Sequence, residues 1–135
     1  MKVLVTGGTG VVGTAAVRSL LAAGCSVRLF SRHATQDAAR FGSEVETREG
    51  SVTSPEEIRG AAEGCHAVLH IASIAEEKPP EATFDRVNVG GTRNLIAEAE
   101  RSGAFRFVYV SSRSRPATAR PIRPTRSRCT PWASS

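Results

Sequence analysis

Thr6-Gly7-Gly8-Thr9-Gly10-Val11-Val12-Gly13 is the stretch whose residue types and spacing point to a particular chemistry. Its glycines fall at 8, 10 and 13 and also, three apart, at 7, 10 and 13. The apolar triplet Val3-Leu4-Val5 runs into it, and an alanine-rich helical pattern runs out of it. Glycine at such a junction lets backbone approach a pyrophosphate closely. The helix start behind it offers unpaired N–H donors and the positive end of a dipole. A strand before and a helix after are what separate a phosphate cradle from a packing turn. Gly7, Gly8, Thr9, Gly10, Val11, Val12 and Gly13 are therefore the predicted dinucleotide-binding loop.

The next informative triplet is Ser31-Arg32-His33, with Arg32 19 positions after Gly13. A site selective for NAD usually has an acid at this point to accept from the ribose hydroxyls, but none occurs before Asp37. A guanidinium there can hold a 2′-phosphate through charge-assisted hydrogen bonds. The triplet predicts NADP in preference to NAD; the competing reading of Arg32 is a solvated side chain at a strand end. His66 and His70 suggest no metal pair, because four residues of strand hold them about 13 Å apart. The three cysteines, Cys25, Cys65 and Cys129, are odd in number and lack C-x-x-C spacing. No disulfide framework or metal site follows from them, and they suit a reducing cytoplasm.

These residues need elements to hold them, and the apolar pattern supplies a set. Short apolar runs begin near residues 3, 26, 45, 67 and 107, each separated from the next by a helical pattern. Val12, Ala16, Leu20 and Ala23 recur at helical spacing before Gly24. A shorter helix is predicted over 35–41. Ser54-Pro55-Glu56-Glu57 reads as a capped helix start with Glu57 at the capping-box position, and that helix is predicted to end at Gly64. Phe84, Asn88, Gly91, Leu95 and Ala99 line one face of a long helical pattern ending near Gly103. Five strands linked by helices require right-handed crossovers. The predicted fold is α/β, a doubly wound parallel sheet of the Rossmann type.

The 135 residues carry a formal charge of +5, unevenly placed. Residues 1–112 hold 12 Lys/Arg against 13 Asp/Glu, whereas 113–135 hold six arginines, four prolines and no acid. A basic pI owed to one tail does not make the body a nucleic-acid binder. With Ile122 and Trp132 as its only large apolar residues, the tail is predicted to be disordered. The longest uncharged run, Val3–Val17, is 15 residues with four glycines, too short and polar for a bilayer span.

Beyond these patterns, the chain resembles the NAD-dependent epimerase/dehydratase family of extended short-chain dehydrogenase/reductases. The resemblance rests on TGGTGVVG (6–13), GSVT (50–53), AVLHIAS (67–73), NVGGTRNL (88–95) and FVYVSS (107–112), in the family's order and spacing. It spans residues 1–112 and implies an NAD(P)-binding domain, with nucleotide sugars or related small carbonyl or hydroxyl compounds as substrates. It implies that Gly7, Gly10 and Gly13 form the pyrophosphate loop, and that Ser51 stands where the family usually has an adenine-binding Asp. Val52 would line the adenine pocket, and Ala72 and Ser73 the passage beyond the fourth strand. Asn88 matches a family asparagine on the helix face toward the sheet, which a structural role explains as well as a site role. Ser112 matches the substrate-orienting hydroxyl, with Ser111 and Ser114 as neighbours.

The family's acid/base pair, Tyr with Lys four positions on, has no counterpart after Ser112. The only tyrosine is Tyr109 and the only lysines are Lys2 and Lys78. Tyr109 and Arg113 imitate the spacing but precede the helix where the pair belongs. Three readings follow: the dinucleotide-binding part of an epimerase, dehydratase or reductase, inactive by itself; a non-catalytic NADP-binding sensor; or a nucleic-acid binder through the tail. The composition change at Arg113 reads as a frame change or truncation in the coding sequence. The predicted division is 1–112 as the binding domain and 113–135 as the tail.

Overall fold

Val3-Leu4-Val5 is apolar throughout because it becomes the middle of a sheet with helices on both faces. In the computed structural model, which describes residues 1–111, β1 (Lys2–Thr6) lies between β2 (Ser26–Ser31) and β4 (Ala67–His70). β3 (Val45–Glu49) adds outside β2, and β5 (Arg106–Tyr109) outside β4. The order is β3-β2-β1-β4-β5 and every pairing is parallel, with Val3 opposite Val27 on one side and Ala67 on the other.

Alternation along the strands divides the core in two. Val3, Val5, Val27, Leu29 and Val45 point to the face covered by α1 (Val11–Ala22) and α2 (Ala34–Ala38), where they meet Val17 and Ala38. Leu4, Phe30 and Val68 point to the other face and meet Ile58 of α3 (Pro55–Ile58) and Leu95 and Ala99 of α4 (Gly91–Ser102). Each fully buried leucine or phenylalanine stabilises the fold by about 1.5–3 kcal/mol relative to its exposed state. The doubly wound α/β sheet is the one predicted, and its five strands start within a residue or two of the expected positions.

Three helices differ from expectation. The helix expected over 54–64 closes after one turn, at Ile58, because Arg59 turns extended (φ −55°, ψ 124°) and Gly60 has φ +83°. Ser54 caps it as expected, its Oγ accepting from the Glu57 N–H. Glu57 makes no reciprocal bond to Ser54; its carboxylate accepts from the Ser51 N–H at 2.6 Å. The helix expected over 35–41 is α2 followed by a 3₁₀ segment, Ala39–Glu44, kinked at Gly42.

The long helical pattern contains a π-helical stretch, Asp85–Gly90, ahead of α4. An extra residue per turn rotates the apolar stripe. Gly91, Leu95 and Ala99 are buried, Asn88 is half-buried, and Phe84 turns outward and is exposed. On α4, Glu98 is a buried carboxylate that accepts from the Ala62 N–H and from Arg101. Burial pushes its pKa up, but the hydrogen bonds from Arg101, Ala62 and Gly60 outweigh that and hold it below the usual carboxylate range.

Candidate dinucleotide site

The succession of strands across the sheet reverses at β1, and a crevice opens beyond the carboxyl ends of β1 and β4, the usual ligand position in open α/β sheets. It has a cavity of about 630 Å³ lined by four strand ends. These contribute Gly7 and Thr9–Gly13 after β1, Phe30–Arg32 at β2, Gly50–Thr53 after β3, and Ile71–Ile74 after β4. That volume suits a small-molecule or cofactor site. Glu81, Ala82 and Val87 complete the wall.

The loop glycines differ in what they do. Gly7 has φ +70°, and a Cβ on it would stand 2.5 Å from the Ala72 nitrogen. A Cβ on Gly13 would run into the Gly7 carbonyl oxygen and lie 2.7 Å from the Gly8 Cα. Gly8 is buried against Leu29 and Val17, away from the cavity. All three are required by the protein's own packing. Gly10 is the exception, because a Cβ there would meet nothing nearer than the Gly7 carbonyl oxygen at 3.9 Å. It caps α1 without a side-chain hydrogen bond, and the first helical bond runs from Thr14 N–H to the Gly10 carbonyl at 2.8 Å. The N–H groups ahead of that bond and the absence of acid in the first turn leave an anion-binding helix end. A backbone left bare facing open space fits a pyrophosphate.

Arg32 lines the rim at the end of β2 and is exposed, with no ion pair among the described residues. The fold also brings up Asp37, which lies too far along the sequence for spacing to place it here. Its Oδ2 accepts from the Ser31 hydroxyl at 2.6 Å, and the Ser31 Oγ in turn accepts from the His33 N–H at 3.3 Å. Arg40 is a residue that sequence reasoning missed. Its Nη1 donates to the Thr9 carbonyl at 3.1 Å, bringing a second guanidinium to the glycine loop. Neither residue could be placed by spacing alone, since Asp37 sits in the short α2 and Arg40 in the 3₁₀ segment that follows it.

Ser51 and Val52 line the cavity, and Ser51 is held from two directions. Its N–H donates to Glu57, and its Oγ is 2.8 Å from the Thr53 hydroxyl. Ala72 and Ser73 also line it. Asn88 stands behind the wall and outside the cavity lining, with Oδ1 accepting from the Ile74 N–H at 2.9 Å and Nδ2 donating to the Ile74 carbonyl at 3.1 Å. Ser112 and the 113–135 tail lie outside the described residues.

His66 and His70 have separate partners. His66 Nδ1 accepts from the Lys2 N–H at 3.0 Å. His70 is fully buried between Thr6 and Thr92, and burial pushes its imidazole pKa down to about 4. Among the described residues no helix is long and apolar enough to cross a membrane.

The profile of the NAD dependent epimerase/dehydratase family matches residues 3–134. A relative named sterol demethylase protein B, from Methylococcus capsulatus, is 42% identical over 114 residues, covering 83% of this chain and 34% of that protein. A 3 beta-hydroxysteroid dehydrogenase/Delta 5-->4-isomerase from Mycobacterium tuberculosis is 38% identical over 120 residues, covering 84% of this chain and 32% of that protein. Among solved structures, a short-chain dehydrogenase/reductase superfamily protein from Agrobacterium tumefaciens with bound NAD superposes with a TM-score of 0.69 at 34% identity. That match covers 83% of this chain and 33% of the other. The chain spans about a third of the length of these relatives.

Proposed function

Because the chain belongs to the NAD dependent epimerase/dehydratase family, we propose that residues 1–112 are the dinucleotide-binding part of an oxidoreductase that exchanges hydride with a hydroxyl or carbonyl carbon. The observation that carries this reading is the bare backbone at Gly10, which faces a crevice lined by four strand ends. In this reading the α1 N-terminus, Gly7 and Thr9–Gly13 hold the pyrophosphate, with Gly8 packed behind them against Leu29. Ser51, Val52, Ala72 and Ser73 enclose the rest, and Asn88 fixes Ile74 from behind. The bound dinucleotide supplies the hydride chemistry, while the chain binds and orients it.

For the substrate, the names of the relatives favour a lipophilic secondary alcohol or ketone over a nucleotide sugar, since two of them carry sterol or hydroxysteroid names. Ser112 is the proposed substrate-orienting hydroxyl. The sequence has no tyrosine or lysine after it to exchange the proton. The 135-residue chain, assayed as such with NADPH or NADH and a ketosteroid, is therefore expected to bind dinucleotide without turnover. Steady oxidation of the cofactor that depends on substrate would overturn this.

The proposed preference is for NADP. Arg32 at the rim has no partner carboxylate among the described residues, and Arg40 adds a second cation at Thr9. One observation favours NAD instead: the Asp37 carboxylate, carried by α2, bonds to Ser31 at the end of β2, where a ribose-binding acid would be useful. Its engagement with Ser31 argues for a backbone-fixing role, because Ser31 and His33 flank Arg32. Calorimetry is expected to give about tenfold or more tighter binding of NADPH than NADH, and Arg32→Ala is expected to erase most of the difference. Equal affinities, or an NAD preference that Asp37→Ala removes, would reverse the assignment.

A further inference from the structure

Behind the cavity wall, one buried imidazole joins three elements, and the direction of every hydrogen bond around it can be deduced. Thr92 at the start of α4 has one hydroxyl proton, which it donates to the Asn88 carbonyl at 2.6 Å. Its oxygen can then only accept from His70 Nε2, 3.0 Å away. The imidazole therefore has its proton on Nε2, leaving Nδ1 to accept from the Thr6 hydroxyl at 2.7 Å. With its proton committed, the Thr6 Oγ accepts from the Ala72 N–H at 3.3 Å.

Donation thus runs one way, from Ala72 through Thr6, His70 and Thr92 to the Asn88 carbonyl. The Asn88 side chain returns to both backbone groups of Ile74. The loop is closed, and both ends of the Ala72–Ile74 wall are tied to it. A proton on Nδ1 would leave the buried Thr6 hydroxyl with no acceptor, at the full desolvation cost of a polar group. The aromatic rings beside it are Phe107 and Tyr109 of β5, with centroids at 6.3 and 5.3 Å. The π-helical stretch sets Asn88 at the point where the chain of donors ends.

We propose that His70, as a neutral Nε2–H imidazole held between Thr6 and Thr92, is the positioning residue that fixes the Ala72–Ile74 wall against the glycine loop for dinucleotide binding. The inference rests on the dinucleotide reading above.

The test uses the full chain, labelled with ¹⁵N, and NADPH and NADH as probes. Long-range ¹⁵N–¹H spectra at pH 7 are expected to show His70 as the Nε2–H tautomer, with and without NADPH. Amide exchange at Ala72 and Ile74 is expected to be slow. His70→Phe keeps a ring of similar size but cannot donate or accept, and Thr92→Val removes the acceptor. Each is expected to speed exchange at Ala72 and Ile74, to leave Val27 and Leu29 unchanged, and to weaken NADPH binding by about tenfold.

An Nδ1–H or charged imidazole at pH 7 overturns the proposal. So does a folded His70→Phe or Thr92→Val protein with unaltered NADPH affinity and unaltered exchange at the two amides. If either variant fails to fold, the other and the tautomer of the unaltered chain decide. An unaltered chain that binds neither NADPH nor NADH defeats the dinucleotide reading instead, while the tautomer and exchange data still judge how the wall is held.

Discussion

Gly10→Ala is expected to weaken NADPH binding by about a hundredfold or more while leaving the domain folded. The added methyl meets only the Gly7 carbonyl oxygen, at 3.9 Å, so the protein itself accommodates it. Its cost to stability is that of a poorer helix cap, about 0.5–1 kcal/mol, or a few degrees in Tm for a domain of this size. The cost to binding is larger, because the methyl occupies the space in which a pyrophosphate would meet the N–H groups at the start of α1. Losing two charge-assisted hydrogen bonds, each about 1.5–3 kcal/mol, accounts for a hundredfold change or more. Gly13→Ala is the useful contrast, since its methyl collides with the backbone of the loop and should damage the fold as well. Calorimetry with NADPH beside thermal melts separates the two; unchanged affinity in Gly10→Ala would refute the close approach at that position.

The second large effect is on stability against acid. His70 in the folded chain has a pKa near 4, pushed down from 6.5 by burial. Between those values the unfolded chain takes up a proton that the folded chain does not, so stability rises with pH across this window. The contribution is complete above about pH 7 and is lost progressively as pH falls toward 4. A depression of this size corresponds to about 3 kcal/mol. Glu46, lowered first by its hydrogen bonds to Lys2 and Arg28, and Glu98 act in the same direction but only at lower pH, as carboxylates protonate. Urea unfolding at pH 7.5 and pH 5 isolates the histidine window, with about 2 kcal/mol expected to be lost. His70→Phe should flatten the difference. A wild-type midpoint that does not move between these pH values would contradict the placement of His70.

Sheet and loop were legible in the sequence because each reports a local constraint. A short, valine-rich apolar triplet stopped by glycines reads as a strand buried on both faces, and Gly7 and Gly13 stand where backbone has no room for a Cβ. The helices were less legible. Pro55 and Ser54 announce a start, but nothing before Gly60 announces that the turn closes at Ile58. Nor does the apolar spacing of Phe84, Asn88 and Gly91 distinguish a π-helical stretch from an α-helix. Within the site, Arg32 was found by counting from the glycines. Asp37, Arg40 and the Thr6–His70–Thr92 chain depend on contacts between distant segments, which spacing along one element does not encode.

The position of β1 in the middle of the sheet has a consequence for how the chain is made. On the ribosome β1 emerges ahead of β2 and meets it soon after. Its other edge pairs with β4, 64 residues later in register. At about 5–20 residues per second, the nascent chain carries that open apolar edge for about 3–13 s before its partner follows it out. During that interval Val3-Leu4-Val5 is a free template for any passing strand. Slower translation over residues 30–70 is therefore expected to lengthen that exposure and to lower the yield of soluble protein.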